Sequence, residues 1–158
     1  MALHKLVVDD FYDASFSLIA VHCRIKDYRL AYLINQKLNL KLSRQKYDLD
    51  FNYFAAYYAV FEWENEDQFI TWNLIANQCK TEEESLQSSG SLFQNNKVQK
   101  TYQLLPELKS VDYLLKITSE TGRINEKVIT EKLQRIPQII TTYSVNVSKI
   151  KTKEHLIF

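Results

Sequence analysis

The run from Tyr53 to Trp63 is apolar on both of its alternating faces, and that restricts what the chain can fold into. Its odd positions are Tyr53, Ala55, Tyr57, Ala59, Phe61 and Trp63; its even ones are Phe54, Ala56, Tyr58, Val60 and Glu62. Successive side chains of a strand point to opposite faces. A strand of this kind therefore needs cover on both sides. Glu64, Asn65, Glu66 and Asp67 then form a polar break, and Gln68 to Asn77 resumes the apolar pattern. The two runs predict a long β-hairpin closed by a four-residue polar turn.

The rest of the chain supplies elements to build around that hairpin. Leu3 to Val8 reads as a short strand and Ser15 to His22 as a buried one. Leu30, Leu33, Ile34 and Leu38 fall at helical spacing, with Asp27 as the expected N-cap and Asn39 as the C-terminal stop. Leu40 and Leu42, then Tyr47, Leu49 and Phe51, alternate with polar residues and predict strand structure broken near Ser43 and Arg44. From Lys80 to Asn96 the composition turns to Glu, Ser, Gln and Asn, which predicts a mobile loop. Val98 to Leu105 and Val111 to Ile117 read as strands, Asn125 to Ile136 as a helix, and Gln138 to Val147 as a closing strand. The two helices match at a constant offset: Ile34-Asn35-Gln36-Lys37-Leu38 lies 95 residues before Ile129-Thr130-Glu131-Lys132-Leu133. Each helix follows a strand and leads into another, so the halves read as a duplicated βαβ plan.

All 158 residues fit one domain, and a chain of that length buries about 70% of its unfolded surface. The formal net charge is +1, so no strong field argues for nucleic acid or an acidic membrane. No apolar run approaches the ~20 residues of a membrane span. The first residues lack the long apolar core and cleavage site of a signal peptide. Cys23 and Cys79 are the only cysteines and are expected as free thiols in a cytoplasmic protein. The only glycines are Gly90 and Gly122. A phosphate-cradling loop needs several, so neither a Walker loop nor a dinucleotide fingerprint can be built. His4, His22 and His155 are scattered, without the spacing of metal ligands. Nothing resembles a nucleophile elbow. The expectation is a non-enzyme with no cofactor and no metal.

The segment Leu105-Pro106-Glu107-Leu108-Lys109-Ser110-Val111-Asp112-Tyr113 resembles the pattern Ile-Pro-Glu-x-x-x-Val-Asp-Tyr, with Leu105 in place of Ile. That pattern names a family of small proteins of unknown function in the Bacteroidota, and the resemblance implies no chemistry. A second resemblance spans about residues 110–147. Val111 to Ile117, the helix ending at Ile136 and Pro137, and the Thr-rich strand after it look like the ligand-sensing domain of feast/famine transcription regulators. Those are small ferredoxin-like domains that dimerise and bind amino acids. The resemblance implies the βαβ shape. The effector loop of that family usually carries glycines, of which this region has only Gly122. The expected fold is α+β: a mostly antiparallel sheet with two helices on one face and pseudo-duplicated, ferredoxin-like βαβ halves.

Function is sought where residue types exceed the needs of packing. Two helices cover about one face of the sheet. The other is sheltered either by a second subunit, giving a homodimer through Tyr53, Tyr57, Phe61 and Trp63, or by loops and the C-terminal tail. Glu107 and Asp112, five residues apart across a turn, are the carboxylates to test as an acid/base pair. The competing reading makes Pro106, Glu107, Val111, Asp112 and Tyr113 turn chemistry. Lys149, Lys151 and Lys153 alternate and would share one face of a terminal strand, a modest basic stripe for RNA. The reading preferred on sequence is a non-catalytic adaptor or regulatory module acting through protein–protein contacts. Its rivals are an amino-acid-type sensor and an RNA-binding accessory protein.

Overall fold

The computed structural model describes residues 16–50, 56–84, 97–122 and 124–158. In chain order the elements are β1 (Phe16–Cys23), α1 (Asp27–Leu38), β2 (Ser43–Arg44), β3 (Leu49–Asp50), β4 (Tyr57–Tyr58), β5 (Val60–Asn65), β6 (Ile70–Ala76), β7 (Gln78–Glu84), β8 (Lys97–Gln103), β9 (Tyr113–Ser119), α2 (Glu126–Gln134) and β10 (Ile139–Val145). Short 3-10 turns cover Pro106–Leu108, Val147–Lys149 and Lys153–Leu156. The chain is α+β. Six strands form one antiparallel sheet in the order β10-β1-β9-β6-β5-β2, and β3-β4 and β7-β8 form two separate ribbons. The run β10-β1-β9-β6, with α1 after β1 and α2 after β9, is compatible with two βαβ halves.

Both helices lie on one face. Leu30, Ala31 and Ile34 of α1 and Leu133 of α2 pack with Ile19, Val21, Leu115, Ile117, Trp72 and Leu74 from the sheet. The helix ends are fixed locally. Asn39 adopts a left-handed conformation (φ 55°) and its N–H reaches the Asn35 carbonyl, ending α1 where expected. Asn125 caps α2 by accepting from the Val128 N–H. The start of α1 differs from expectation by one residue: Lys26 is the N-cap, without a side-chain bond. Asp27 sits in the first turn and accepts from the Tyr28 N–H at 2.7 Å, where its charge meets the positive end of the helix dipole.

The opposite face has its own core. Leu18, Ala20, Val60, Ile75 and Leu114 are covered by Ala56, Tyr58, Leu104, Leu105, Val111, Ile150 and Leu156. The cover on this side is the chain itself, with the C-terminal segment across it. Lys116 helps to pin that segment. Its ammonium donates to the Leu156 carbonyl at 2.6 Å and stands 4.5 Å from the Phe158 ring centroid and 5.3 Å from that of Phe16. Desolvation lowers its pKa, opposed by the nearby Glu62 carboxylate.

Several expectations are corrected. The β5–β6 hairpin is present, with Trp63 opposite Trp72, but the run before it breaks into β4 and β5. Lys80 to Glu84, read as the start of a loop, belong to β7 and pair with β8; residues 85–96 lie outside the described residues. Leu40 to Asp50 holds only the two-residue strands β2 and β3. Lys149 and Lys153 lie in 3-10 turns, and Lys151 between them, so there is no terminal strand to align them. The strand expected at Leu3 to Val8 lies outside the described residues. Among those described, no helix is long and apolar enough to cross a membrane.

Candidate functional site

The Leu105–Tyr113 segment is folded around one buried amide. Asn77, between β6 and β7, is fully buried. Its Nδ2 donates to the carbonyls of Leu108 (2.8 Å) and Val111 (2.9 Å), and its Oδ1 accepts from the Leu105 N–H (3.0 Å). Its backbone N–H donates to the Asp112 carbonyl and its carbonyl accepts from the Leu104 N–H. Pro106 opens the 3-10 turn, where its missing N–H costs nothing. Leu105 and Val111 are driven inward with no exposed surface.

The polar residues of the segment reach out to other parts of the chain. Asp112 Oδ2 accepts from the Cys23 N–H at 3.0 Å, beside the irregularity where β1 slips register against β10. The Tyr113 hydroxyl donates to the Ile25 carbonyl at 2.7 Å. Together these two residues hold the β1–α1 connection. Glu107 holds the C-terminal segment instead: Oε1 accepts from the Lys151 and Thr152 N–H groups (2.8 and 2.9 Å), and Oε2 from the Thr152 hydroxyl (2.9 Å). Desolvation raises the Glu107 pKa, but hydrogen bonds from its own backbone, the Thr152 hydroxyl and the two amides outweigh it and hold the carboxyl below its ordinary value. Burial, with the nearby Cys79 and Tyr102, pushes the Tyr58 phenol up to about 12. Burial likewise pushes the Cys23 thiol up to about 11, with the Ile25 backbone hydrogen bond opposing and Asp112 adding.

Beside this segment opens a cleft of about 230 Å3, lined by Tyr58, Thr101, Tyr102, Gln103, Leu104, Pro106 and His155. His155 comes from the C-terminal segment that Glu107 secures. Its Nδ1 lies 2.6 Å from the Leu104 carbonyl; a carbonyl only accepts, so that nitrogen carries the proton. Four consecutive lining residues, Thr101 to Leu104, run along β8 and its end.

The residues singled out from sequence are thus distributed. Glu107 and Asp112 anchor two different parts of the chain, the C-terminal segment and the end of β1. Phe61 is buried and Trp63 half-buried under the helices, while Tyr57 is exposed on β4. Tyr53 lies outside the described residues. Sequence reasoning missed Asn77, and missed the cleft formed by Tyr58, Tyr102 and His155. The one available signal was an asparagine closing an apolar strand without a turn. Among the described residues no cluster of His, Cys, Asp and Glu could hold a metal ion. In the comparisons with known proteins, no family model, no curated protein and no solved structure matches the chain.

Proposed function

We propose that the chain is a non-catalytic adaptor or regulatory module of the cytoplasm, acting through contacts with another protein or a second copy of itself. The observation that carries this reading is a pair of tyrosines on the outer face of α1. Tyr28 and Tyr32, one turn apart, are 63% and 59% exposed. Such rings supply large, amphipathic contact area, and tyrosine is enriched at protein interfaces. Gln36 steadies Tyr32 by donating to its hydroxyl at 2.8 Å. Support comes also from the carboxylates of the Leu105–Tyr113 segment, which bond the chain's own backbone. Both described cysteines are free thiols, in keeping with a reducing compartment.

The test is affinity purification from the native host, with and without ribonuclease, using the wild type and the Tyr28→Ala/Tyr32→Ala double variant. A protein that survives ribonuclease and is lost from the double variant is the expected result. Equal recovery by both forms, or recovery that depends on intact RNA, would overturn the reading.

A further inference from the structure

We infer that the cleft between α2 and the start of β6 binds a small apolar monocarboxylate, whose acid group pairs with Lys132. The cleft has a volume of about 350 Å3, inside the range of roughly 300 to 1,000 Å3 occupied by small-molecule sites. Three parts of the chain wall it. Leu38, the last residue of α1, closes one side; Ile70 and Trp72 come from β6; Ile124, Val128 and Ile129 come from α2 and the approach to it. Leu38, Ile70, Ile124 and Ile129 are only partly buried against the helix-side core, and Val128 is 41% exposed. Apolar surface left half-covered in a concave site is stabilised by whatever apolar body withdraws it from water.

The two polar residues of the wall set the sign and the place of the ligand's charge. Asn125, Val128, Ile129 and Lys132 follow the spacing that puts residues on one face of a helix, and all four line the cleft. The Asn125 side-chain oxygen is committed to the Val128 N–H at 3.2 Å, so its amide nitrogen, a donor, is the group left to meet a ligand. The Lys132 ammonium is exposed and makes no ion pair or hydrogen bond among the described residues. None of the eight lining residues is Asp or Glu. A carboxylate therefore meets a cation and a second donor here, while an ammonium meets no counter-ion. One cation beside six apolar residues fits a ligand with a single charged end; a phosphate cradle calls for several donors converging on one point. The site is separate from the Tyr28–Tyr32 contact, since of α1 only Leu38 lines it.

The experiment titrates the purified full chain with octanoate, 1-octanol and octylammonium, three probes of one chain length and different charge, each kept below its micelle concentration. Octanoate should bind most tightly and shift the backbone amides of Ile124, Val128 and Lys132 and the indole N–H of Trp72. Octanol should bind about three- to fivefold more weakly, the worth of a solvent-exposed ion pair, and octylammonium more weakly still. Lys132→Gln should bring octanoate down to the affinity of octanol. Lys132→Glu should reverse the order, so that octylammonium binds best, with an unchanged circular dichroism spectrum. A purely structural role for Lys132 would not reverse a charge preference. Absence of octanoate binding, equal affinity of the three probes, the same order in both Lys132 variants, or shifts confined to residues outside the cleft would overturn the proposal. None of these results touches the α1 reading, which stands or falls on the Tyr28 and Tyr32 variant.

Discussion

Asn77 shows how much structure one side chain can organise. Through five hydrogen bonds it ties the end of β6 to Leu104, Leu105, Leu108, Val111 and Asp112. Removing the amide leaves the Leu105 N–H and the Val111 carbonyl without these partners, while the Leu108 carbonyl keeps the Val111 N–H. Each buried orphan costs about 1–3 kcal/mol, partly relieved where water can enter. Asn77→Ala should therefore lose about 3 kcal/mol in urea unfolding; a change within about 0.5 kcal/mol, the range of ordinary surface substitutions, would mean the loop holds itself. The residue types of the Leu105–Tyr113 segment suggested turn chemistry, and Pro106 does open a turn. Its bonding was less legible. Glu107 reaches Lys151 and Thr152, 44 and 45 residues away, and Asn77 meets partners 28 to 34 residues away. Separations of that size are set by topology and leave no periodic trace in the sequence.

At the scale of elements, periodicity identified what it could. The α1 and α2 helices, β1 and β9 carry an apolar stripe or alternation and fall near their expected bounds, while the β5–β6 hairpin forms with Glu64 and Asn65 in the strand and its turn two residues later than expected. The β7–β8 ribbon was half hidden, because Lys80 to Glu84 is polar at every position and offers no period. The C-terminal lysines show the opposite error: Lys149, Ile150 and Lys151 mimic alternation, while Ile150 and Leu156 bury themselves through 3-10 turns. At the sheet edge, β10 contains no charged residue and exposes Ile140 at 61%, the composition of a strand open to unwanted pairing. Gln134 occupies part of that edge. Its Nε2 donates to the Ile140 carbonyl (3.3 Å) and its Oε1 accepts from the Thr142 N–H (3.2 Å), as a neighbouring strand would. Gln134→Ala should thus cost less than about 1 kcal/mol yet increase self-association in light scattering relative to wild type. Adding Ile140→Lys should reverse the increase. Unchanged particle size in the single variant would show that the glutamine is not an edge guard.

For the whole molecule, the question raised by the doubly apolar run was what covers the second face of the sheet. Sequence made the need visible but not the answer, since a cover drawn from residues 104–111 and 147–158 is a matter of tertiary docking. In the structure the C-terminal segment is held by side chains acting together. Its own Ile150 and Leu156 are buried against the sheet, Glu107 binds its Lys151–Thr152 backbone, Lys116 binds the Leu156 carbonyl, and His155 binds Leu104. Leu156→Ala should cost about 2–5 kcal/mol as a core truncation. If the segment docks as one unit, Glu107→Gln should add less in that background than it costs alone, because the anchored segment is already loosened. The pH dependence follows the same linkage. The folded Glu107 carboxyl titrates below its ordinary value, so its contribution is complete above the unfolded pKa and is lost as pH falls through the lowered one. Urea midpoints at neutral pH and near pH 3, about a unit below the ordinary glutamate value, should therefore converge between wild type and Glu107→Gln on acidification. The gap between the two should also be smaller at neutral pH in the Leu156→Ala background. Strict additivity of the two substitutions would show that Glu107 and Leu156 hold separate pieces of chain, and that the second face is not covered by a cooperative unit.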